Sequence, residues 1–168
     1  KEITYQNIQN AYGKIIINNA DVAQYKQNVA ERLLQTFGIA NFIFAKQLKH
    51  HGIKTESQEF ISEVGEIACK LLKEKQPKSF KIETTRSDKN FPLTSPEVSK
   101  EVGAYVVQTL NLNVDVKKPE TICFVEISDS GAFVYLEKIQ GLGGLPAGSS
   151  GKMIGFLSGG IDSPVACF

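Results

Sequence analysis

The spacing of apolar and polar residues predicts four elements in the first half of the chain. A short strand with the apolar residues Ile15-Ile16-Ile17 is expected at 12–18, and apolar residues from Val22 to Leu34 recur at the spacing of one helix face. A strand with aromatic residues is predicted at 39–45, and a second amphipathic helix at 58–74. The order strand, helix, strand, helix is typical of an α+β layer in which helices cover one face of a sheet.

The second half begins with an alternating pattern at Phe80–Thr84, which predicts a half-buried strand. Thr94 and Glu97 have the spacing of a capping box and predict the start of a helix with a buried stripe. Two further strands, joined by a turn, are expected at 121–127 and 132–138. The glycine-rich stretch that follows is predicted to be a tether that leads into the next segment.

The most informative segment comes after this tether, at Leu157-Ser158-Gly159-Gly160-Ile161-Asp162-Ser163-Pro164. An apolar run at 153–157 predicts a strand before it, and Ser163 and Pro164 suit the N-cap and first position of a helix after it. A glycine-rich turn between a strand and a helix N-terminus presents backbone N–H groups that bind phosphate. Asp162 stands beside the phosphate position, which suits a carboxylate that holds Mg²⁺. The alternative is an ordinary turn between a strand and a helix.

Two other phosphate-binding motifs do not fit the sequence. Gly151-Lys152 is not part of a Walker A loop, because Met153 stands where Ser or Thr is needed. The glycines at 141–143 do not form a dinucleotide fingerprint, because Pro146 stands at its third Gly position. The Ser-Gly-Gly-x-Asp-Ser pattern is instead that of the PP-loop, the pyrophosphate-binding loop of ATP pyrophosphatases.

Composition narrows the class of protein further. The 168 residues carry a net charge of +1, so any binding of nucleic acid must come from local patches. No segment reaches the ~20 apolar residues of a membrane span, and the N-terminus resembles neither a signal nor a transit peptide. Cys69, Cys123 and Cys167 form no CxxC pair, which favours reduced thiols, a cytoplasmic location and no cysteine metal site. The absence of an initiator Met indicates a fragment.

Two basic clusters supply such local patches. The first lies between Glu31 and Glu56, where the chain has no acidic residue, and the second lies between Lys70 and Lys89. A solvated helix face or loop is the better explanation for any single lysine. Two clusters on one small protein nevertheless make RNA a candidate partner.

Several motifs of this chain occur together in one known family. They are Pro77-Lys78-Ser79-Phe80-Lys81, Arg86-Ser87-Asp88-Lys89, Phe91-Pro92-Leu93-Thr94-Ser95-Pro96-Glu97, Val102-Gly103-Ala104-Tyr105, Glu137-Lys138, Gly141-Leu142-Gly143-Gly144-Leu145-Pro146 and the loop 157–164. Together they resemble the tRNA 4-thiouridine synthases, also called tRNA sulfurtransferases, over essentially the whole chain. The middle motifs resemble the THUMP domain, an RNA-binding module.

The resemblance implies an α+β protein in four parts. A partial N-terminal ferredoxin-like domain is expected at 1–77, and a THUMP RNA-binding core at 78–140. A glycine-rich linker is expected at 141–152, and the truncated start of a doubly wound α/β PP-loop domain at 153–168. The N-terminal motif of the family is absent, so part of the first domain is expected to be missing. The adenine-binding part and the catalytic cysteines are expected beyond the last residue, so these 168 residues alone are not expected to catalyse.

The resemblance also implies a reaction. In the family, the first two domains grip the acceptor end of tRNA and present uridine 8 to the PP-loop domain. ATP adenylates the 4-carbonyl oxygen, and a persulfide sulfur delivered from a cysteine desulfurase displaces AMP to give 4-thiouridine. Some members carry a rhodanese-like domain or also serve thiamine thiazole synthesis. ATP and Mg²⁺ are therefore the expected cofactors, tRNA and the desulfurase the expected partners, and a homodimer a plausible assembly.

The same motifs assign roles to single residues. The expected ATP-binding residues are Leu157, Ser158, Gly159, Gly160, Asp162 and Ser163, and Asp162 is the candidate for catalysis through Mg²⁺. The expected RNA-binding residues are Arg86, Lys89, Lys138 and Lys152, although a merely solvated side chain explains Lys152 equally well. Phe91 and Tyr105 are candidates to stack on bases, but Tyr105 lies on the apolar helix stripe, where core packing is favoured.

Two alternatives to the sulfurtransferase remain open at this point. One is a free-standing THUMP RNA-binding module whose terminal loop is vestigial. The other is a different PP-loop activator, such as an amide-forming ligase, fused to a THUMP domain. Mass analysis of the modified tRNA separates the second alternative from sulfur transfer.

Overall fold

The computed structural model describes residues 7–11, 13–18, 22–48, 57–87, 91–128, 130–146, 148–152 and 154–167. The elements in chain order are β1 (Asn7–Ala11), β2 (Lys14–Asn18), α1 (Val22–Leu34), β3 (Asn41–Ile43), β4 (Lys46–Leu48), α2 (Ser57–Lys75), β5 (Ser79–Arg86), α3 (Ser95–Leu110), β6 (Asn113–Val114), β7 (Thr121–Ser128), β8 (Gly131–Tyr135), β9 (Lys138–Gln140) and α4 (Asp162–Cys167). These elements fall into two compact units. The first contains the described parts of 1–25 and 42–139, and the second contains those of 26–41 and 140–168.

A five-stranded sheet with the strand order β4-β8-β7-β5-β6 organises the first unit. Strand β5 is parallel to β6 and β7, whereas β8 is antiparallel to β7 and β4. Helix α3 lies in the connection between the parallel strands β5 and β7, which need a crossover. The pairing of these two strands runs up to Arg86 and Ile127, so the loop after β5 starts beside the end of β7.

The core of the first unit lies between this sheet and the helices α2 and α3, which also pack against each other. Its largest fully buried side chains are Val64, Leu72, Phe80, Val98, Val102, Val106, Cys123, Val125, Ile127 and Val134. The helices approach closely at Gly65, where an added Cβ would lie 2.5 Å from the Tyr105 ring. Tyr105 is thus a packing residue, as its place on the apolar stripe predicted. Helix α2 belongs to this core although it precedes residue 78, where the THUMP core was expected to begin.

The predicted α+β class is confirmed, and the helices expected near 22–34, near 58–74 and after Thr94 are present. Two predicted strands are each divided. The segment 39–45 contains β3 and β4, and the segment 132–138 contains β8 and the start of β9. The division follows from pairing, because β4 pairs with β8 in the large sheet whereas β3 pairs with β9 in a separate two-stranded sheet. Apolar alternation alone does not reveal such a change of partner.

The first part of the glycine-rich segment after β9, where the sequence predicted a tether, is held by backbone hydrogen bonds. In the second unit, Gly141 N donates to Ala40 O at 3.0 Å, Gly143 N to Ile39 O at 2.8 Å, and Gly38 N to Gly143 O at 2.7 Å. A Cβ on Gly141 would lie 2.2 Å from Ile39 O, so only glycine permits this approach. The glycines therefore allow close backbone pairing, which composition alone does not distinguish from flexibility.

The strand expected at 153–157 is not formed by its described residues, 154–157. Ile154 and Phe156 are 86% and 90% exposed, and no described strand pairs with this segment. An extended segment becomes a strand only when a neighbour completes its hydrogen bonds. The following helix begins at Asp162 rather than after Ser163. Pro164 still lies in the first turn, where its missing N–H leaves no intrahelical bond unmade.

Candidate nucleic-acid interface and phosphate loop

The loop that joins β5 to α3 is organised by Arg86, the last residue of β5. The Nη1 atom of Arg86 donates to the carbonyl oxygens of Phe91 and Leu93, each at 2.7 Å. The Arg86 side chain is half-buried. One of the predicted RNA-binding side chains therefore makes two contacts within its own loop.

The same loop is anchored to the core at both ends. Ser87 follows Arg86 and donates to Ile127 O through its N–H at 2.9 Å and its hydroxyl at 3.2 Å. Phe91 is only 7% exposed, and its ring packs edge-on against Phe60 at 4.8 Å between centroids. Phe91 is thus a buried anchor, and the alternative that it stacks on a base is wrong for this structure.

Helix α3 begins directly after this loop with the predicted capping interaction. The Glu97 carboxylate accepts hydrogen bonds from the Thr94 N–H and the Thr94 hydroxyl, both at 2.7 Å. These two hydrogen bonds lower the pKa of Glu97, and the bond from the Thr94 N–H has the larger effect. The positive charge of Arg86 lowers the pKa further. A carboxylate at a helix N-terminus is also favoured by the helix dipole. The loop and the first turn of α3 are therefore one connected arrangement.

The other basic candidates of the first unit lie outside this arrangement or outside the described residues. Lys89 is not among the described residues. Lys138 is exposed on β9 and forms no salt bridge with any described residue. Its neighbour Lys14 instead pairs with Glu126, and the pKa of Lys14 is lowered by burial and by the charge of Lys138. Of these two lysines, Lys138 is therefore the one whose ammonium group has no carboxylate partner among the described residues.

The loop predicted to bind ATP is closed by its two serines. The hydroxyl oxygens of Ser158 and Ser163 lie 2.7 Å apart, within hydrogen-bond distance. The Ser158 N–H donates to the Ser163 hydroxyl at 3.2 Å, and the Gly160 N–H donates to the Ser158 hydroxyl at 3.3 Å. These contacts join residues no more than five positions apart, so the contacts that the described residues make within this loop are local.

The remaining loop residues face solvent. Leu157 and Ile161 are 70% and 82% exposed, and Asp162 is exposed as well. An added Cβ at Gly159 would meet no atom within 4 Å. Lys152, also predicted for phosphate or RNA, is exposed in the same unit. The structure thus leaves the predicted loop residues accessible to a ligand.

Metal-ligating side chains do not cluster in the described part of the chain, where no group of three His, Cys, Asp or Glu is suited to a metal ion. Asp162 offers a single carboxylate beside the two serine hydroxyls. This donor set fits Mg²⁺, which is commonly held by one or two carboxylates together with the phosphates of a nucleotide. It does not fit a dedicated metal site built by the protein alone.

The two cysteines whose side chains are described are buried and form no disulfide. Cys69 and Cys123 are free thiols, and burial is the largest cause that raises the pKa of each. The pKa of Cys123 is raised to about 12. Such thiols are inert packing residues. The side chain of Cys167 is not among those described. No helix in the described ranges is long and apolar enough to cross a membrane.

Sequence reasoning missed the role of Arg86 in shaping its loop. The only signal in the sequence is the position of Arg86 at the end of a strand, five residues before Phe91 and seven before Leu93. An exposed phosphate-binding arginine has the same sequence context. The distinction depends on the conformation of the loop.

Comparison with known protein families gives one direct match. The THUMP domain family matches residues 54–137, which is half of the chain and includes α2.

Comparison with curated proteins gives matches along nearly the whole chain. A Thermoanaerobacter pseudethanolicus protein named "Probable tRNA sulfurtransferase" is 41% identical over 163 residues, 96% of this chain and 39% of the relative. A Methanocaldococcus jannaschii protein of the same name is 44% identical over 114 residues, 64% of this chain and 30% of the relative. The chain therefore spans about two fifths of the length of the first of these relatives. The family resemblance predicted from the motifs is confirmed.

Two solved structures share the fold of this chain. A crystal structure described as a 4-thiouridine synthetase–RNA complex with bound ATP aligns with a TM-score of 0.71 and 28% identity, covering 95% of this chain and 39% of that one. A Pyrococcus horikoshii Ot3 protein aligns with a TM-score of 0.73 and 29% identity, covering 92% and 48% of the two chains.

Proposed function

The chain belongs to the THUMP domain family, and on that premise we propose that it is the tRNA-binding portion of an ATP-dependent tRNA sulfurtransferase. The observation that carries the proposal is the extent of the similarity. Relatives named as tRNA sulfurtransferases match 96% of the chain, from the elements before the THUMP segment to the serine-glycine loop. An RNA-binding module and a PP-loop in one continuous match support this enzyme class over a free-standing RNA-binding module.

The proposed reaction converts uridine 8 of tRNA to 4-thiouridine. Adenylation of the 4-carbonyl oxygen by ATP releases pyrophosphate and turns a poor leaving group into AMP. The outer sulfur of a persulfide supplied by a cysteine desulfurase then attacks C4 and displaces AMP. A second thiol cleaves the remaining S–S bond, which leaves the sulfur on the base as 4-thiouridine and a disulfide on the sulfur carrier. The structural neighbour with bound RNA and ATP supports these two ligands for this protein. The same proposal includes a role in thiamine thiazole synthesis, assembly as a homodimer and a cytoplasmic location.

The proposed domain organisation keeps the parts expected from the sequence. A partial ferredoxin-like domain precedes the THUMP core, and a linker leads from it to the start of the PP-loop domain. The match at 54–137 supports placing α2 with the THUMP core, because α2 packs in the same hydrophobic core as α3.

In the proposed nucleotide site, the residues that bind the phosphates of ATP are Leu157, Ser158, Gly159, Gly160, Asp162 and Ser163. The two glycines have no side chains that would hinder the approach of a phosphate to their backbone N–H groups. In this structure the hydroxyls of Ser158 and Ser163 lie within hydrogen-bond distance of each other. Turned outward, these hydroxyls donate to phosphate oxygens. When Mg²⁺ is bound, it supplies positive charge at the pyrophosphate that leaves. Asp162 is the residue proposed to hold it.

In the proposed RNA interface, Lys89, Lys138 and Lys152 contact tRNA phosphates, and Arg86 belongs to the loop that carries Lys89. The support for Lys138 is its exposure and its lack of a carboxylate partner among the described residues. A lysine in that state loses little when it binds a phosphate, because no existing ion pair has to break.

Binding of tRNA tests the RNA part of the proposal. Fluorescence anisotropy with an unmodified tRNA across a salt series should show binding that weakens as salt rises. Lys138→Ala should weaken binding and reduce the slope of log K against log salt by roughly 0.7–0.9. Lys117→Ala, which removes an exposed lysine from the turn before β7, is the matched control and should leave the slope unchanged. A chain that does not bind tRNA at low salt contradicts the proposed interface.

Formation of 4-thiouridine tests the nucleotide part in the full-length protein that contains this sequence. Asp162→Asn keeps the size of the side chain but removes its charge, and it should lower the rate by roughly a hundredfold or more. Ser150→Ala, an exposed change in the same segment, is the control. Mass spectrometry of the tRNA identifies the product, and a mass other than that of 4-thiouridine indicates a different PP-loop enzyme.

A further inference from the structure

We propose that the exposed edge of strand β5 is a docking site for an extended, acidic peptide segment of another protein. The site is an edge groove lined by residues 80–84 of β5, by one face of α3, and by Val114 and Val116. All of these residues belong to the first compact unit. The inference concerns a protein partner and does not depend on the proposed sulfurtransferase activity.

Strand β6 covers only the beginning of β5. Of the eight residues of β5, only Ser79 and Phe80 pair with β6. Phe80 O also accepts a hydrogen bond from Asp115 N at 3.0 Å, so the backbone of Phe80 faces the β6 side. On its other side β5 pairs with β7 as far as Arg86. Beyond Phe80, β5 is therefore an edge strand within the described part of the chain.

The backbone groups on this edge are those of Ile82 and Thr84. Alternate residues of a strand direct their N–H and C=O groups to opposite neighbours, so Ile82 and Thr84 face the same side as Phe80. No described residue forms a backbone hydrogen bond with Ile82 or Thr84 on that side. A row of unpaired N–H and C=O groups is a template to which an extended chain can add as a further strand.

The edge groove has room for such a strand. Its volume is about 710 Å³, within the range of roughly 300–1,000 Å³ that ligand sites occupy. The part of β5 beyond Phe80 is roughly 20 Å long at about 3.3 Å per residue, which is the length of a typical strand. Val114 and Val116 are exposed in the groove and offer apolar contact to the added segment.

Gly103 on α3 keeps this space open. Outside its own stretch of helix, an added Cβ at Gly103 would meet only Ile82 Cγ1 within 4 Å, at 3.8 Å, so no close contact in the described structure requires a glycine there. Gly65 on α2 differs, because its added Cβ would lie 2.5 Å from the Tyr105 ring. Glycine inside a helix is destabilising relative to alanine. An extended backbone that lies against α3 gives a reason for the missing side chain.

The charges at the edge groove favour an acidic segment. Three charged side chains line it, those of Lys81, Glu83 and Lys100. Lys81 and Glu83 form an ion pair with each other at 2.9 Å. Lys100 is exposed and forms no salt bridge with a described residue. A carboxylate on the bound segment complements this lysine.

The lining of the edge groove also favours a peptide over RNA. Single-stranded RNA binds through phosphate contacts and through stacking of its bases on aromatic side chains. Phe80 is the only aromatic residue in the described lining, and it is fully buried. An unpaired strand edge with apolar walls instead matches a polypeptide, whose backbone pairs with the strand and whose alternate side chains enter the groove.

Peptide display tests the site. A phage library of random short peptides is selected against this chain of 168 residues. The selected peptides should alternate apolar residues, carry an acidic residue and lose roughly tenfold or more in affinity for Gly103→Leu, which fills the groove. Glu101→Leu, an exposed change on α3 outside the lining, is the matched control and should bind as the wild type does. A failed selection, or equal affinity for Gly103→Leu, would overturn the proposal.

Denaturant unfolding shows whether Gly103→Leu still folds, and a midpoint at or above that of the wild type is expected because leucine favours the helix. Lys100→Glu is a second variant that leaves the groove open. It should weaken binding of a selected acidic peptide by roughly threefold or more, and exchange of the acidic residue of the peptide for Lys should restore binding. Unchanged affinity in Lys100→Glu would refute the acidic partner.

Backbone pairing has its own readout. Hydrogen–deuterium exchange at the amides of Ile82 and Thr84 should slow when a selected peptide binds, because their N–H groups gain acceptors. A peptide with N-methyl groups at alternate positions has lost donors for the strand edge and should not bind. Unchanged exchange at both amides, or full binding of the methylated peptide, would contradict strand addition.

Fluorescence anisotropy with an unmodified tRNA identifies the alternative occupant. Gly103→Leu should bind tRNA as the wild type does, because the edge groove is assigned to a peptide. Weaker tRNA binding by this variant would place the groove in the RNA interface and overturn the proposal. A chain that binds the selected peptides but no tRNA would support the docking site and contradict the proposed function.

Discussion

The loop after β5 and the loop before α4 both carry residues predicted to meet phosphate, yet they hold their shapes by different means. The loop after β5 depends on distant partners, because Ser87 is bound to Ile127 and Phe91 is buried against Phe60. The loop before α4 depends on Ser158 and Ser163, which are five residues apart. The conformation of the loop after β5 therefore depends on tertiary contacts, whereas that of the loop before α4 depends on contacts between residues close in sequence. Mutations should therefore affect the stability of the protein at the first loop and only local order at the second.

Removal of the Phe91 ring should break this comparison most strongly. Phe91→Ala leaves a cavity beside Phe60 and should lower the free energy of unfolding by about 3–5 kcal/mol. Leu157→Ala, the matched truncation in the loop before α4, removes a side chain that is 70% exposed and should stay within about 0.5 kcal/mol of wild type. Denaturant unfolding monitored by circular dichroism measures both. Equal losses would show that the second loop is packed after all.

The glycines offer a second pair of substitutions, both in the second unit. Gly141→Ala places a Cβ against Ile39 O and should cost about 1–3 kcal/mol by disrupting the pairing of 38–40 with 141–143. Gly159→Ala meets open space and should leave the same pairing intact. Hydrogen exchange of the Gly141 and Gly143 amides reports the difference. Slow exchange in both variants would contradict a role for the close approach of Gly141 to Ile39 in the backbone pairing of 38–40 with 141–143.

Alkaline unfolding tests the core that supports the loop after β5. Burial raises the pKa of Cys123 from 9.0 to about 12, so this thiol should contribute stability below pH 9 that is lost as pH rises toward 12. Cys123→Ala should show a shallower loss over that range, although burial of Tyr135 raises the pKa of that phenol and acts in the same direction. Parallel denaturant titrations at several pH values give the comparison. Identical pH dependence would mean that Cys123 is accessible to solvent.

The smallest effect is expected at the start of α3, where the loop after β5 ends. Because the Thr94 hydrogen bonds lower the pKa of Glu97, the stabilising contribution of its carboxylate is present above the ordinary pKa of 4.5 and is lost as pH falls through the lowered value. Glu97→Gln should remove this contribution, so its stability should lie slightly below that of the wild type near neutral pH and converge with the wild type at low pH. Glu101→Gln, one turn later on the same helix, is the control. A stronger acid dependence in Glu97→Gln would refute the assignment.

Sequence reasoning succeeded where the physical cause is local. The capping box of Thr94 and Glu97, the buried stripe of α3 and the packing role of Tyr105 depend on residues within a few turns of one another. The serine-glycine loop also could be located, since its residues contact each other. Sequence reasoning failed where a partner lies far along the chain, as in the division of 39–45 between two sheets. It also did not reveal the backbone hydrogen bonds between residues 38–40 and the glycine segment.

The sequence by itself determined the α+β class, most of the elements and the family to which the chain belongs, because periodicity, caps and contiguous motifs are encoded over short distances. Only the tertiary structure decided what Arg86 and Phe91 do. Both suited RNA contacts in the sequence, but the fold brings Arg86 to two carbonyl oxygens and Phe91 to the core. The physical reason is that a side chain's partners are set by which strand ends beside it and which helix packs over it.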